Sequence, residues 1–103
     1  LFNEDLAEAI FCVLNSSEKK IYKVCKGKFP IMNIGTGENI SIKNLSEIIK
    51  KYVNFKGKII FNTKYPDGTM KKNLNSNKIK KLGWRPKIKL NHGLKEIIKF
   101  RLT

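Results

Sequence analysis

Apolar residues recur along this chain at two spacings, and the alternation between them predicts a succession of helices and short extended segments. From Asn3 to Leu14 they fall at Leu6, Ala9, Ile10, Val13 and Leu14, the three-and-four spacing of a stripe along an amphipathic helix. Asn3 stands where a side-chain oxygen can cap that helix, and Glu4 and Asp5 suit the positive end of its dipole. Ser16 to Lys28 is polar and reads as a connection, with a short extended piece around Ile21 to Val24. Pro30-Ile31-Met32-Asn33-Ile34 then reads as a strand that ends in the Gly35-Thr36-Gly37 turn, since glycine lets a chain leave a strand sharply.

The second half repeats the alternation. Ser41 is placed to cap a helix whose apolar face runs through Ile42, Leu45, Ile48, Ile49 and Tyr52 or Val53; Asn44 occupies the position where a full capping box has Glu or Gln. Gly57 follows in a turn, and Lys58-Ile59-Ile60-Phe61-Asn62 has the β-branched and aromatic content of another strand. Beyond it lies the turn-rich loop Thr63-Lys64-Tyr65-Pro66-Asp67-Gly68-Thr69, just past a strand end, where α/β proteins commonly hold ligands. Ser76 or Asn75 can cap a short helix from Asn77 to Leu82 that stops at Gly83. After Trp84-Arg85-Pro86-Lys87-Ile88 comes a final helix with Leu90, Leu94, Ile97, Ile98 and Leu102 on one side. No repeat or low-complexity linker divides residues 1–103, so the pattern predicts one α/β unit of about four helices with two or three short strands. That is little core for a chain of this size, and a partner domain beside it is expected.

Charge changes this picture in one half only. Residues 1–49 are neutral, whereas residues 50–103 carry the whole net charge of +14. A basic half is one footprint of nucleic-acid binding, and Lys78-Ile79-Lys80-Lys81 near Trp84 and Arg85 fits a phosphate-tracking surface. The basic residues are 20 lysines and two arginines, however, and base reading favours the arginine fork, so no specific nucleic acid is expected. With 41% hydrophobic residues the chain can bury a core, and no apolar run approaches the roughly 20 residues of a membrane helix. A soluble, cytoplasmic protein is expected. The chain opens without Met and already in a helical pattern, as if cut from something longer.

Most catalytic patterns fail on inspection. Cys12 and Cys25 form no CxxC pair, which leaves reduced thiols and no metal site. Asn33-Ile34-Gly35-Thr36-Gly37 suggests a dinucleotide loop, but Ile40 occupies the position of the third glycine. Tyr22…Lys26 and Tyr52…Lys56 have the Tyr-x-x-x-Lys spacing by which a lysine lowers a phenol's pKa. Chance matches are expected in so lysine-rich a chain. His92 is the single histidine and has no carboxylate near it in sequence. What remains is Pro66-Asp67-Gly68-Thr69-Met70-Lys71-Lys72, where Asp67 can accept hydrogen bonds from ligand hydroxyls or amines and Lys72 can neutralise a diphosphate. The same residues also make an ordinary turn with solvated lysines.

Taken together, Asn33-Ile34-Gly35-Thr36-Gly37, Ser41-Ile42 with Leu45, Phe55-Lys56-Gly57, Pro66-Asp67-Gly68-Thr69 and Leu82-Gly83-Trp84 with Pro86-Lys87-Ile88 resemble the C-terminal third of GDP-L-fucose synthase. The opening Leu1-Phe2-Asn3-Glu4-Asp5-Leu6-Ala7 is similar to that family's segment at the domain junction. The resemblance implies the substrate-binding portion of an extended short-chain dehydrogenase/reductase, with residues 1–103 as one fragment and the N-terminal Rossmann domain absent. It implies NADPH-dependent epimerisation of GDP-4-keto-6-deoxy-mannose at C3 and C5 followed by reduction at C4. A reductase of another GDP-linked 4-keto sugar, such as a 6-deoxy-heptose, would show much the same pattern. The family's catalytic residues and its NADP site lie in the N-terminal part, so this chain is expected to hold no catalytic residue, no cofactor-binding residue and no metal. Asp67 corresponds to a loop aspartate implicated in binding the GDP-sugar, and Lys72 to the basic residue that ends the family's loop string. Met70 and Lys71 replace that string's proline and arginine. A homodimer is implied for the full-length protein.

Overall fold

The computed structural model describes residues 1–27 and 29–102. Helix α1 (Asn3–Leu14) begins one residue earlier than the sequence suggests: Phe2 holds the N-cap position, without a side-chain bond, and Asn3 is already helical. Helix α2 (Glu18–Val24) replaces the connection and extended piece expected there. The reason is local, because Ser17 Oγ accepts from the Lys20 amide at 3.3 Å and starts a turn. Ile21, Val24 and Cys25 then share one side, with Cys25 buried. Lys28, the end of the expected connection, lies outside the described residues.

Helix α3 (Ile42–Tyr52) has the expected cap, with Ser41 Oγ accepting from the Asn44 amide at 3.1 Å. Helix α4 (Asn77–Lys81) ends at Gly83, whose φ is +107°. Gly83 N–H donates to Lys80 O at 3.1 Å and Trp84 N–H to Ile79 O at 3.4 Å, the paired bonds of a Schellman motif. The same pair of bonds closes α2 at Lys26 (φ 54°) and α3 at Asn54 (φ 55°), where the left-handed residue is not glycine. Helix α5 (Leu90–Leu102) completes the order.

No strand forms among the described residues, so the expected α/β unit is a helical one with five helices. Residues 30–34 and 58–62 are non-helical, as their β-branched content favours, but a strand also needs a neighbour for its backbone groups. Ile31 and Ile60 are instead 68% and 87% exposed.

The core sits where α1, α4 and the segment after α4 meet. Ala9, Ile79 and Trp84 are its buried residues, with Cys12, Val13, Met32 and Ile34 packed against them. Only Ala9 and Val13 of the expected α1 stripe face this core, while Leu6, Ile10 and Leu14 are exposed. Asp5 goes inward instead of serving as a solvated partner of the helix dipole: it is 1% exposed. Its two carboxylate oxygens accept from the Lys87 and Ile88 amides, both at 2.9 Å, and its carbonyl accepts from Trp84 Nε1 at 3.0 Å. α2 packs on α4 and α3 on α5. Gly93 of α5 lies under Phe2, whose Cδ2 would be 2.6 Å from a Cβ at that position.

The result is a slab of 54 × 36 × 14 Å, one layer thick. Its radius of gyration is 17.7 Å, against about 13 Å for a compact chain of this length. The slab leaves far more apolar surface uncovered than a two-layer domain does.

Candidate functional site

The loop that carries the candidate residues is held at its ends and bare in its middle. At its start Asn62 Oδ1 accepts from the Lys64 amide at 3.0 Å, and the tight turn falls at 63–65, ahead of Pro66. Gly68 does not adopt a left-handed conformation. From Asn62 through Asn75 every residue is exposed, Met70 almost completely at 99%. Asp67 and Lys72 lie five residues apart on this stretch, and neither forms a hydrogen bond or ion pair among the described residues.

At its far end the loop is fastened firmly. Asn75 Oδ1 accepts from the Asn77 amide at 2.9 Å, whereas Ser76, the other expected cap, makes no cap bond. Ser76 is 4% exposed, and its Oγ accepts from Gly35 N–H at 2.8 Å while donating to Gly35 O at 3.0 Å. Lys78 Nζ adds a bond to Ile31 O at 3.1 Å. Gly35, which lies in extended chain and not in the expected turn, and the end of the candidate loop are thus joined across 41 residues of sequence.

Among the described residues, two of the surface depressions are well formed. One, of about 320 Å³, is largely apolar and runs between Phe2, Thr36, Glu38, Ile40, Lys89 and Leu94. The other, of about 460 Å³, is a shallow hollow at the end of α3, with Lys50, Lys51, Lys56 and Glu47 around Phe55 and Asn54. Asp67 and Lys72 line neither.

The remaining candidates stay apart from any chemistry. Tyr22 is in α2 but Lys26 is beyond its end, and Tyr52 closes α3 with Lys56 beyond it, so neither pair shares a helical face. His92 is an exposed residue of α5. Cys12 donates its thiol to Leu82 O at 3.7 Å, and both cysteines are free. No cluster of metal-ligating side chains occurs among the described residues. Nor do these residues fit a dinucleotide: Ile40 fills the third glycine's place, and Ser41 already caps the helix that follows. Lys87, whose amide donates to Asp5, is held above its ordinary pKa by its hydrogen bond and charge pairing with Glu8.

No protein-family profile matches the chain. Individual relatives do. A GDP-L-fucose synthase of Sinorhizobium fredii is 38% identical over 94 residues, covering 91% of this chain and 27% of that protein. The GDP-L-fucose synthase of Escherichia coli is 32% identical over 91 residues, covering 88% and 28%. The chain belongs to the GDP-L-fucose synthase family. It matches the C-terminal part of these relatives and spans about a quarter of their length. A GDP-L-colitose synthase of Yersinia pseudotuberculosis is 24% identical over the whole chain and covers 31% of its own length. A match of 94 residues within 103 necessarily includes Asp67 and Lys72, so the candidate loop lies inside the family resemblance. Sequence reasoning missed the inward turn of Asp5 and the Ser76–Gly35 tie. Asp5 shares the spacing of Ala9, Cys12 and Ser16, a signal that could have shown its inward face; no local pattern points to the tie.

Proposed function

We propose that this chain is the substrate-binding part of a GDP-sugar epimerase/reductase, in which residues preceding it in the full-length protein bind NADPH and carry the chemistry. The substrate in this reading is GDP-4-keto-6-deoxy-mannose, epimerised at C3 and C5 and reduced at C4. Asp67 accepts hydrogen bonds from the GDP-sugar, and Lys72 sets a mobile positive charge beside the diphosphate. The observation that carries the reading is the 38% identity to a GDP-L-fucose synthase across a stretch that includes the whole candidate loop. The exposure of Asp67 and Lys72 supports it, because groups without partners in their own chain remain available to a ligand. The match to a GDP-L-colitose synthase favours a second substrate within the same chemistry, another GDP-linked 4-keto sugar. The full-length protein is a homodimer in this reading and works in the cytoplasm.

The test sets residues 1–103 beside the full-length protein with NADPH and GDP-4-keto-6-deoxy-mannose. Turnover by the full-length protein alone is the expected result, and turnover by residues 1–103 would refute the division of labour. In the full-length protein, Asp67→Ala is expected to weaken GDP-sugar affinity, and an unchanged affinity removes the site.

A further inference from the structure

The Ser76 hydroxyl satisfies both backbone groups of one distant residue, accepting from Gly35 N–H at 2.8 Å and donating to Gly35 O at 3.0 Å. In a β-ladder a neighbouring strand would meet those two groups; here one side chain does so, at the end of a segment that has no ladder. The fit is close. A Cβ on Gly35 would sit 3.2 Å from Leu74 Cβ and 3.6 Å from Ser76 Oγ, so Gly35 and the 74–76 stretch lie against each other. Ser76 is itself anchored, since it opens α4, whose Ile79 is fully buried in the core. Lys72 is four residues upstream of Ser76, a reach of at most about 14 Å. Thr36 and Glu38, just past Gly35, stand on the rim of the apolar depression.

We infer that Ser76 is a positioning residue that joins the Gly35–Gly37 segment and the Asp67–Lys72 loop into one substrate-binding unit. It touches no substrate; through Gly35 and Leu74 it sets where the lysine end of the loop stands relative to the Gly35–Gly37 segment. The inference rests on the proposed GDP-sugar site for its effect on binding, but the tie itself is independent of that site.

The experiment uses the full-length protein with Ser76→Ala, Ser76→Thr and Gly35→Ala, and with Trp84→Phe as a control that removes a core hydrogen bond made to Asp5 O and not to Gly35. Steady-state KM for GDP-4-keto-6-deoxy-mannose, KM for NADPH, kcat, and amide exchange at Gly35 and residues 72–76 are measured. Ser76→Ala is expected to raise the sugar-nucleotide KM about tenfold, as for a lost buried hydrogen bond, with kcat and the NADPH KM within about twofold. Exchange should quicken at Gly35 and at 72–76. Ser76→Thr, which keeps the hydroxyl, restores both readouts. Gly35→Ala moves KM in the same direction and keeps the test open should Ser76→Ala not fold. Trp84→Phe lowers the melting temperature and leaves the sugar-nucleotide KM in place. A KM that is unchanged in Ser76→Ala while Asp67→Ala raises it overturns the positioning role and spares the site. An equal rise in Trp84→Phe also overturns it. If Asp67→Ala and Lys72→Ala leave KM unchanged, the site fails, and the exchange data decide the tie alone: quicker exchange at 72–76 upholds it and unaltered exchange overturns it.

Discussion

The Asp5–Trp84 region and the Asp67–Lys72 loop each present a carboxylate near basic residues, yet they differ in every physical respect. Asp5 is buried, with both oxygens engaged by backbone amides and its carbonyl by the Trp84 indole. Asp67 is exposed and unengaged, one of fourteen consecutive exposed residues from Asn62 to Asn75. A carboxylate whose hydrogen bonds are filled by its own chain serves the fold, because nothing is left over to offer a ligand. One that is held out with none filled costs the fold nothing when it binds something else. The comparison therefore separates a structural aspartate from a candidate binding one without reference to any reaction.

Five substitutions and one titration test that separation on the full-length protein. Trp84→Ala should have the largest effect, a loss of about 3–5 kcal/mol read from the denaturant midpoint, because it empties the centre of the buried cluster. A loss of less than 1 kcal/mol would mean that the core lies elsewhere. Asp5→Ala comes next at about 2–3 kcal/mol, since it orphans the Lys87 and Ile88 amides. Lys26→Gly should stabilise by about 1 kcal/mol by relieving a left-handed residue, with Asn54→Gly gaining less because asparagine tolerates that conformation; thermal melts read both. Asp67→Ala should change stability by no more than about 0.5 kcal/mol. If it destabilised as much as Asp5→Ala, the contrast would collapse.

The smallest effect belongs to the Lys87–Glu8 pair, 2.8 Å apart and exposed on both sides. Glu8 raises the Lys87 pKa above 10.5, so whatever the pair contributes is present below that value and is lost as pH rises through the raised one. A nuclear magnetic resonance titration of Lys87 should show its midpoint fall toward 10.5 in Glu8→Gln, with no resolvable change in melting temperature near neutral pH. A midpoint that stays raised would assign the shift to Asp5 instead.

Local pattern alone was enough for α1, α3, α4 and α5: α1, α3 and α5 carry apolar stripes, Ser41 begins α3, and Gly83 ends α4 through a two-bond motif within a few residues. The family was legible as well, since its motifs are carried in linear order and the relatives match across the candidate loop. Tertiary structure decided the rest, for reasons of distance along the chain. The segments at 30–34 and 58–62 have strand composition, but a strand exists only when a second segment takes up its hydrogen bonds, and composition does not supply the neighbour. Asp5 could be placed in the first turn of a helix from the sequence, but its burial depends on amides 82 and 83 residues away. Ser76 could be placed at a helix start in the same way, and only the approach of Gly35, 41 residues distant, turned its hydroxyl from a cap into a tie between two loops.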